Sequence, residues 1–475
     1  MAGGPPRGGP GAPGGPGGPQ RPRGFSIRTF ESLKHRGFRW FFLASLAAMA
    51  SLNMQILVRG FLAFELTSSF SALGAMGIAS ATPMFTLSVF GGVLADRVSK
   101  KRIMQVSQTI SGVLAIGIGL LVLSGQLRYE HLFITSIVQG VVQAMMLPAS
   151  QAMVPEVIGR QGMMNAISLN AAGMNFVRLL APAAGGLLIA LIGAASVYFL
   201  MAGTYALAVV LLVPVSAASA LRPQRLVALI SHAGMAQNAP PNGAGPANGM
   251  GPGAPGGPAG PPMRRGSAEG GVGAAIRAGF ADLGEGGRYI WRDRNIFQLL
   301  TVNFLTAMLG MPFMVMLPGY VAEVYGGGAD ALGLIVGVSG AGALAGALVV
   351  ASLPEQRRGV LMLLSAALIG ASLMAFVATD SYLLGCLFMA TAGVGTAGRQ
   401  ALSAVLVQTH VEDEYRGRVM AVFMTQISLM LGAAFFVGLF AEVVGVRAAL
   451  GSLGAVLVVM IAAFLVFSPT LRRMT

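Results

Sequence analysis

The chain has one cysteine in 475 residues, Cys386, and it lies inside an apolar run. That excludes a disulfide framework and a thiolate metal cluster. Charge is scarce as well: 10% of residues are charged against 55% hydrophobic. A soluble protein of this length does not tolerate that balance. The formal charge of +14 points to nucleic acid in a soluble chain, but here the apolar content excludes that partner. There is no Walker phosphate loop, HExxH, CxxC or Ser-His-Asp arrangement, and His35, His131, His232 and His410 fall in loops or at run edges. ATP hydrolysis is excluded as an energy source; no enzyme activity, cofactor or metal is expected. The first apolar run after Trp40 is too long for a signal h-region, so no cleavable signal peptide is expected either.

What is present is a series of twelve apolar runs, at about 38–61, 71–92, 103–124, 132–153, 164–190, 194–217, 295–319, 331–353, 359–378, 381–407, 417–441 and 447–468. About 20 apolar residues make one bilayer crossing, so each is long enough to span. The spacing predicts an all-α integral membrane protein of two six-helix bundles, 38–217 and 295–468. A Pro/Gly-rich head (1–37), a central loop (218–294) and a short tail (469–475) complete the division. Near Asn238–Pro262, as in Met1–Gly24, Pro and Gly dominate and large apolar residues are nearly absent. Such stretches cannot bury enough surface to offset chain entropy, so disorder is expected there. A short amphipathic helix is predicted near Ala274–Trp291. Ala149-Ser-Gln151-Ala-Met in span four is echoed by Gly398-Arg-Gln400-Ala-Leu in span ten, 249 residues later. That echo fits two parallel repeats.

Basic residues set the expected orientation. With both termini in the cytoplasm, all but five of the 31 Lys and Arg lie on the inner side; the five are Arg59, Arg128, Arg178, Arg399 and Arg447. The positive-inside rule therefore predicts an N-in, C-in protein of the cell membrane.

Between spans two and three runs Gly91-Gly92-Val-Leu-Ala-Asp96-Arg97-Val-Ser99-Lys100-Lys101-Arg102. So short a connection forces an antiparallel hairpin. Its spacing, G-x-L-A-D-R-x-x-[K/R]-[K/R], resembles the signature loop of the major facilitator superfamily, a family of secondary transporters; Ser99 stands where that family usually has Gly. Glu414-Tyr-Arg416-Gly417-Arg418-Val-Met-Ala421 is similar to its loop 10–11 pattern. Pro155-Glu156…Asn165-Ala166 fits the loop 4–5 pattern of the branch holding enterobactin-type siderophore and macrolide exporters. Gly173 and Ala181-Pro182-Ala-Ala-Gly185-Gly186 are similar to the helix-five packing element of drug and siderophore exporters, with Ala181 replacing the usual Gly. The resemblance implies a monomer in the lipid bilayer whose two halves rock around a central site. It implies efflux of a small amphipathic molecule by antiport with protons. Gly92, Asp96, Arg97, Lys100, Lys101, Arg416 and Arg418 would form the cytoplasmic gate. A carboxylate at Asp96 gains from the N-terminus of span eleven.

Polar residues within the spans are the site candidates. Arg178 lies about 20 Å along span five, deep enough that it must face the bundle interior. Two roles stay open for it: bridging helices, or anchoring a ligand. Arg399 and Gln400 in span ten either touch substrate or snorkel to the phosphate layer, and snorkelling or gate packing is favoured; Arg59 is read likewise. In this superfamily helices one, four, seven and ten line the cavity. That makes Asn53, Gln55, Gln139, Gln143, Gln151 and Asn303 cavity candidates, against interhelical hydrogen bonding as the alternative. The 28 methionines favour packing over a polyspecific pocket. An importer of a small organic anion, and a non-transporting scaffold or sensor, remain as rival readings.

Overall fold

A computed structural model describes residues 31–158, 163–215, 284–352, 357–412 and 414–474. Among these there is no strand; the backbone satisfies itself within helices, as a bilayer demands. The first half comprises α1 (Arg36–Thr67), α2 (Phe70–Arg97), α3 (Lys100–Leu123), α4 (Tyr129–Ile158) and α5 (Met163–Leu212). The second half comprises α6 (Arg294–Gly310), α7 (Phe313–Tyr325), α8 (Ala329–Ser352), α9 (Arg358–Ala378), α10 (Tyr382–His410), α11 (Arg416–Met424), α12 (Gln426–Val444), α13 (Val446–Phe467) and α14 (Pro469–Arg473).

Ten segments are long and apolar enough to cross a membrane. One of them, Asn165–Leu212, holds two crossings: Gly193 adopts φ +79°, a left-handed conformation that suits glycine, and turns the chain back. The twelfth is α10, which falls short on hydropathy because Thr391, Thr396, Arg399, Gln400 and Ser403 lie in it. Span seven is divided: Asp293 caps α6 through the Asn295 and Ile296 amides, and Pro312, lacking an N–H, separates it from α7. Span eleven is divided likewise at Thr425.

The basic ends of the helices gather Arg36, Lys100, Lys101, Arg357, Arg358 and Arg418 on one side, here called the basic face; the opposite side is the far face. Near the far face one apolar core runs through both halves. It joins Met54, Val58, Phe70 and Leu73 to Phe313, Leu317, Tyr320, Leu332 and Ala434. Toward the basic face the core divides into two separate clusters. Phe38, Phe41, Met104, Met153 and Leu212 fill the first half, while Ile296, Leu299, Leu363, Leu406 and Phe423 fill the second.

The helix packings agree. Across the halves α2 packs on α12 and α5 on α8, with α7 touching α1 and α2. These approaches sit near the far face: a Cβ on Gly74 would lie 2.6 Å from the Ala434 carbonyl oxygen. A Cβ on Gly186 would lie 2.3 Å from the Ala329 carbonyl oxygen and 2.5 Å from Gly333 Cα. Only glycine permits helix backbones that close. Among the described residues the halves meet at the far face and separate toward the basic face.

Residues 1–30 of the predicted head (1–37) and residues 216–283 lie outside the described residues; α1 already begins at Arg36, within the predicted head. The surface helix is described over 284–292. It is docked on the second half by the Tyr289–Tyr415 ring stack, with centroids 4.3 Å apart, and by Arg418–Glu285 at 2.8 Å.

Candidate functional site

The gap between the halves is where a ligand would bind, and Arg178 opens into it. At about 100° per residue, Gly185 lies roughly 20° around α5 from Arg178, and Met174 roughly 40°. Gly185 faces Met54 of α1, and Met174 lines a cleft between α1, α4 and α5. Arg178 shares that face and is exposed within it. Among the described residues it makes no hydrogen bond or ion pair. The cleft has a volume of about 350 Å³ and is lined by Phe41, Ser45, Ser150, Gln151, Asn170 and Met174 among others. The Ser45 hydroxyl and the Asn170 carbonyl oxygen are buried there with no hydrogen-bond partner. A guanidinium about two turns along α5 from the unsatisfied Asn170 is equipped to hold a polar or anionic part of a ligand.

Arg399 is differently placed. It is 4% exposed, so it does not snorkel. Its Nη1 donates to Asn303 Oδ1, and Asn303 Nδ2 donates to Gln426 Oε1 at 2.9 Å. This network ties α10, α6 and α12 together inside the second half. Arg399 Nε and the Ser403 hydroxyl one turn away have no partner, and no described carboxylate pairs with the guanidinium. Sequence reading placed Arg399 at the phosphate layer because it lies near a helix end; the neighbours that bury it come from distant spans. Arg59 departs in the same way: its Nη1 is buried without a partner, beside Tyr198 and Tyr205.

The remaining candidates divide between packing and the gap. Gln55 is buried and accepts from the Tyr205 hydroxyl at 2.9 Å; Gln139 is buried and accepts from Ser111 at 3.4 Å. Both serve contacts within the first half. Asn53 donates to the Met49 carbonyl of its own helix at 2.8 Å. Gln143 is half-buried, and Gln151 and Gln400, the glutamines of the internal echo, are both exposed. Gln426, Ser403, Ser45 and Asn170 were missed, since a lone polar residue in an apolar run shows no face in sequence.

The packing motif serves both the first half and the crossing between the halves. Pro182 sits inside α5. Gly173 packs against Phe42 and Leu46 of α1, and Gly186 against α8. Of the gate residues, Gly92, Asp96 and Arg97 lie in the helical end of α2, and Arg416 opens α11; their side chains lie outside those described. Lys100 pairs with Glu156, and Lys101 donates to the Val213 carbonyl, both within the first half. Arg418 holds Glu285 within the second half. These three contacts, Lys100–Glu156, Lys101–Val213 and Arg418–Glu285, each lie within one half. If Asp96 closes that face in the other state, Asp96→Asn raises the reactivity of single cysteines in the basic-side gap, in a Cys386→Ser background. Unchanged labelling would reduce the motif to a topological anchor.

A twelve-crossing helical chain in two halves that, among the described residues, meet at one face and part at the other has the architecture of a membrane transporter. Residues 40–434 match the Major Facilitator Superfamily, and the chain belongs to it.

Among curated relatives it is similar to the enterobactin exporter EntS of Shigella boydii, 28% identical over 190 residues, 40% of this chain and 45% of that one. It is also similar to the staphyloferrin A transporter of Staphylococcus aureus, 28% identical over 156 residues, 32% of this chain and 39% of that one. The matches therefore span less than half the length of these relatives. Among solved structures it resembles a POT family transporter in complex with 5-aminolevulinic acid, with a TM-score of 0.64 at 14% identity over 92% of this chain and 96% of that one. A bacterial homologue of the lysosomal transporter Spinster, inward-facing and unoccupied, gives 0.60 at 15% identity over 93% and 98%.

Proposed function

We propose that this transporter exports a small amphipathic molecule from the cytoplasm, drug- or siderophore-like, in exchange for protons. The basic face is the cytoplasmic one in this reading, by the charge bias of the loops, and the membrane is the cell membrane. The observation that carries the reading is the position of the exporter-like element of span five: Gly186 forms the crossing with α8 that seals the far face. The named relatives, an enterobactin exporter and a staphyloferrin A transporter, point the same way. Arg178, unpaired in the gap, suits a ligand with an anionic or strongly hydrogen-bonding part. It equally suits import of a small organic anion, the second reading. Proton exchange is proposed because the sequence holds no nucleotide-hydrolysing motif.

Proteoliposomes separate the alternatives. Vesicles loaded with a cationic dye, enterobactin or staphyloferrin A are placed under a pH gradient of either sign. Export by antiport requires that the substrate move against the proton gradient and that an uncoupler abolish the movement. Movement of solute and protons together supports the importer. No flux of any probe favours the scaffold.

A further inference from the structure

Where α2 and α12 meet at the far face, the contact is not only apolar. Ser69 caps α2: its hydroxyl accepts from the Ala72 amide at 3.2 Å. Glu442, two residues before the end of α12, extends that cap from the other half. Its Oε1 accepts from the Ser69 hydroxyl at 2.6 Å and from the Ser71 amide at 3.1 Å. The first amides of a helix have no partner of their own, and the partial positive charge at that end favours a carboxylate. Directly beneath, Gly438 brings the helices so close that a Cβ there would lie 2.4 Å from the Phe70 carbonyl oxygen. This polar bond between the halves therefore sits on top of a tight crossing of α2 and α12.

We propose that Glu442 is a positioning residue of the transport cycle, the latch that holds the far face shut by capping α2 from the opposite half. The two hydrogen bonds exist only while the faces touch. When the halves part, the carboxylate and the α2 amide return to water, and neither is left buried. Breaking the latch therefore costs little, which suits a contact made and released in every cycle. A purely structural acid would be buried and satisfied within its own half; Glu442 is exposed and bonded across the gap. The inference rests on membership of the transporter family and not on export or proton exchange.

The full-length protein in a Cys386→Ser background tests it, with Val437→Cys as reporter. Val437 is 6% exposed in the shared far-face core and reacts with maleimide only when that face opens. Glu442→Ala raises the labelling rate about fivefold, the size an exposed charge-assisted pair supports. Glu442→Gln, which keeps an acceptor but loses the charge, raises it by less, and Glu442→Lys by more. The melting temperature stays that of the parent protein in all three. Labelling at the parent rate in Glu442→Ala and Glu442→Lys overturns the proposal. A melting temperature that falls in step with faster labelling overturns it as well, because loosened structure then explains the exposure.

Discussion

A transporter carrying Gly186→Val inserts at normal yield yet transports ten- to hundredfold more slowly. The new Cβ arrives 2.3 Å from the Ala329 carbonyl oxygen and 2.5 Å from Gly333 Cα. Both obstacles are backbone of the opposite half, so no rotamer change removes the clash. The halves must separate instead, and each keeps its own core at the basic face, where the apolar clusters are already distinct. Overpacking of this kind costs about 1–3 kcal/mol, enough to shift the far face ten- to hundredfold toward open. Transport slows because one of the two alternating states becomes rare. Cysteine reactivity at Val437 rises, while the yield of folded protein holds. The control is Gly393→Val, within the second half, where a Cβ would sit 1.9 Å from the Ser339 carbonyl oxygen. That variant has no rigid-body escape and loses folded protein. Normal flux in Gly186→Val would mean that the crossing of α5 and α8 does not close in the cycle.

The two deep arginines respond in opposite ways. Arg178→Ala abolishes transport with little change in melting temperature, since the side chain is exposed in the gap and has no bond to lose. Arg178→Lys keeps the charge but not the planar fork, and transport falls with folding intact. Arg399→Ala lowers stability, because it removes the donor to Asn303 and leaves a void between α6, α10 and α12. Arg399→Met fills that void and also removes a buried charge with no acid beside it. The replacement still leaves the buried Asn303 Oδ1 without a donor, which costs about 1–3 kcal/mol, so Arg399→Met is expected to be more stable than Arg399→Ala. Thermal unfolding in detergent, read beside flux, checks all four. If Arg178→Ala and Arg178→Lys both transport normally, Arg178 has no part in the site. If Arg399→Met folds well but fails to transport, the charge of Arg399 serves the cycle and not the fold.

The class of protein was legible because bilayer crossing is a local property. Run length, loop charge and the Gly91–Arg102 hairpin are each contained within a short stretch of sequence. Arg178 was legible too, since burying an arginine in lipid is costly whatever its neighbours. The roles of Gln55, Gln139 and Arg399 were not. Each is decided by a partner more than twenty residues away, Tyr205, Ser111 and Asn303 respectively, and nothing in sequence pairs them. Glu442 was invisible for the same reason. Alone it reads as an ordinary acid near a helix end; only the approach of α2 gives it a partner 373 residues distant.

The far-face connections are short. Ser68–Ser69 joins α1 to α2, Gly193 alone turns α5, Gly326–Gly328 joins α7 to α8, Thr379–Ser381 joins α9 to α10, and Gly445 alone joins α12 to α13. Proteolysis needs an exposed, yielding loop, and of these turns the longest has three residues. With Ser124–Arg128 between α3 and α4, they present almost nothing for an enzyme or an antibody to grip. On an intact cell whose outer side is this face, the protein would resist shaving by trypsin and give few surface epitopes. In inverted vesicles the same treatment would meet the basic loops.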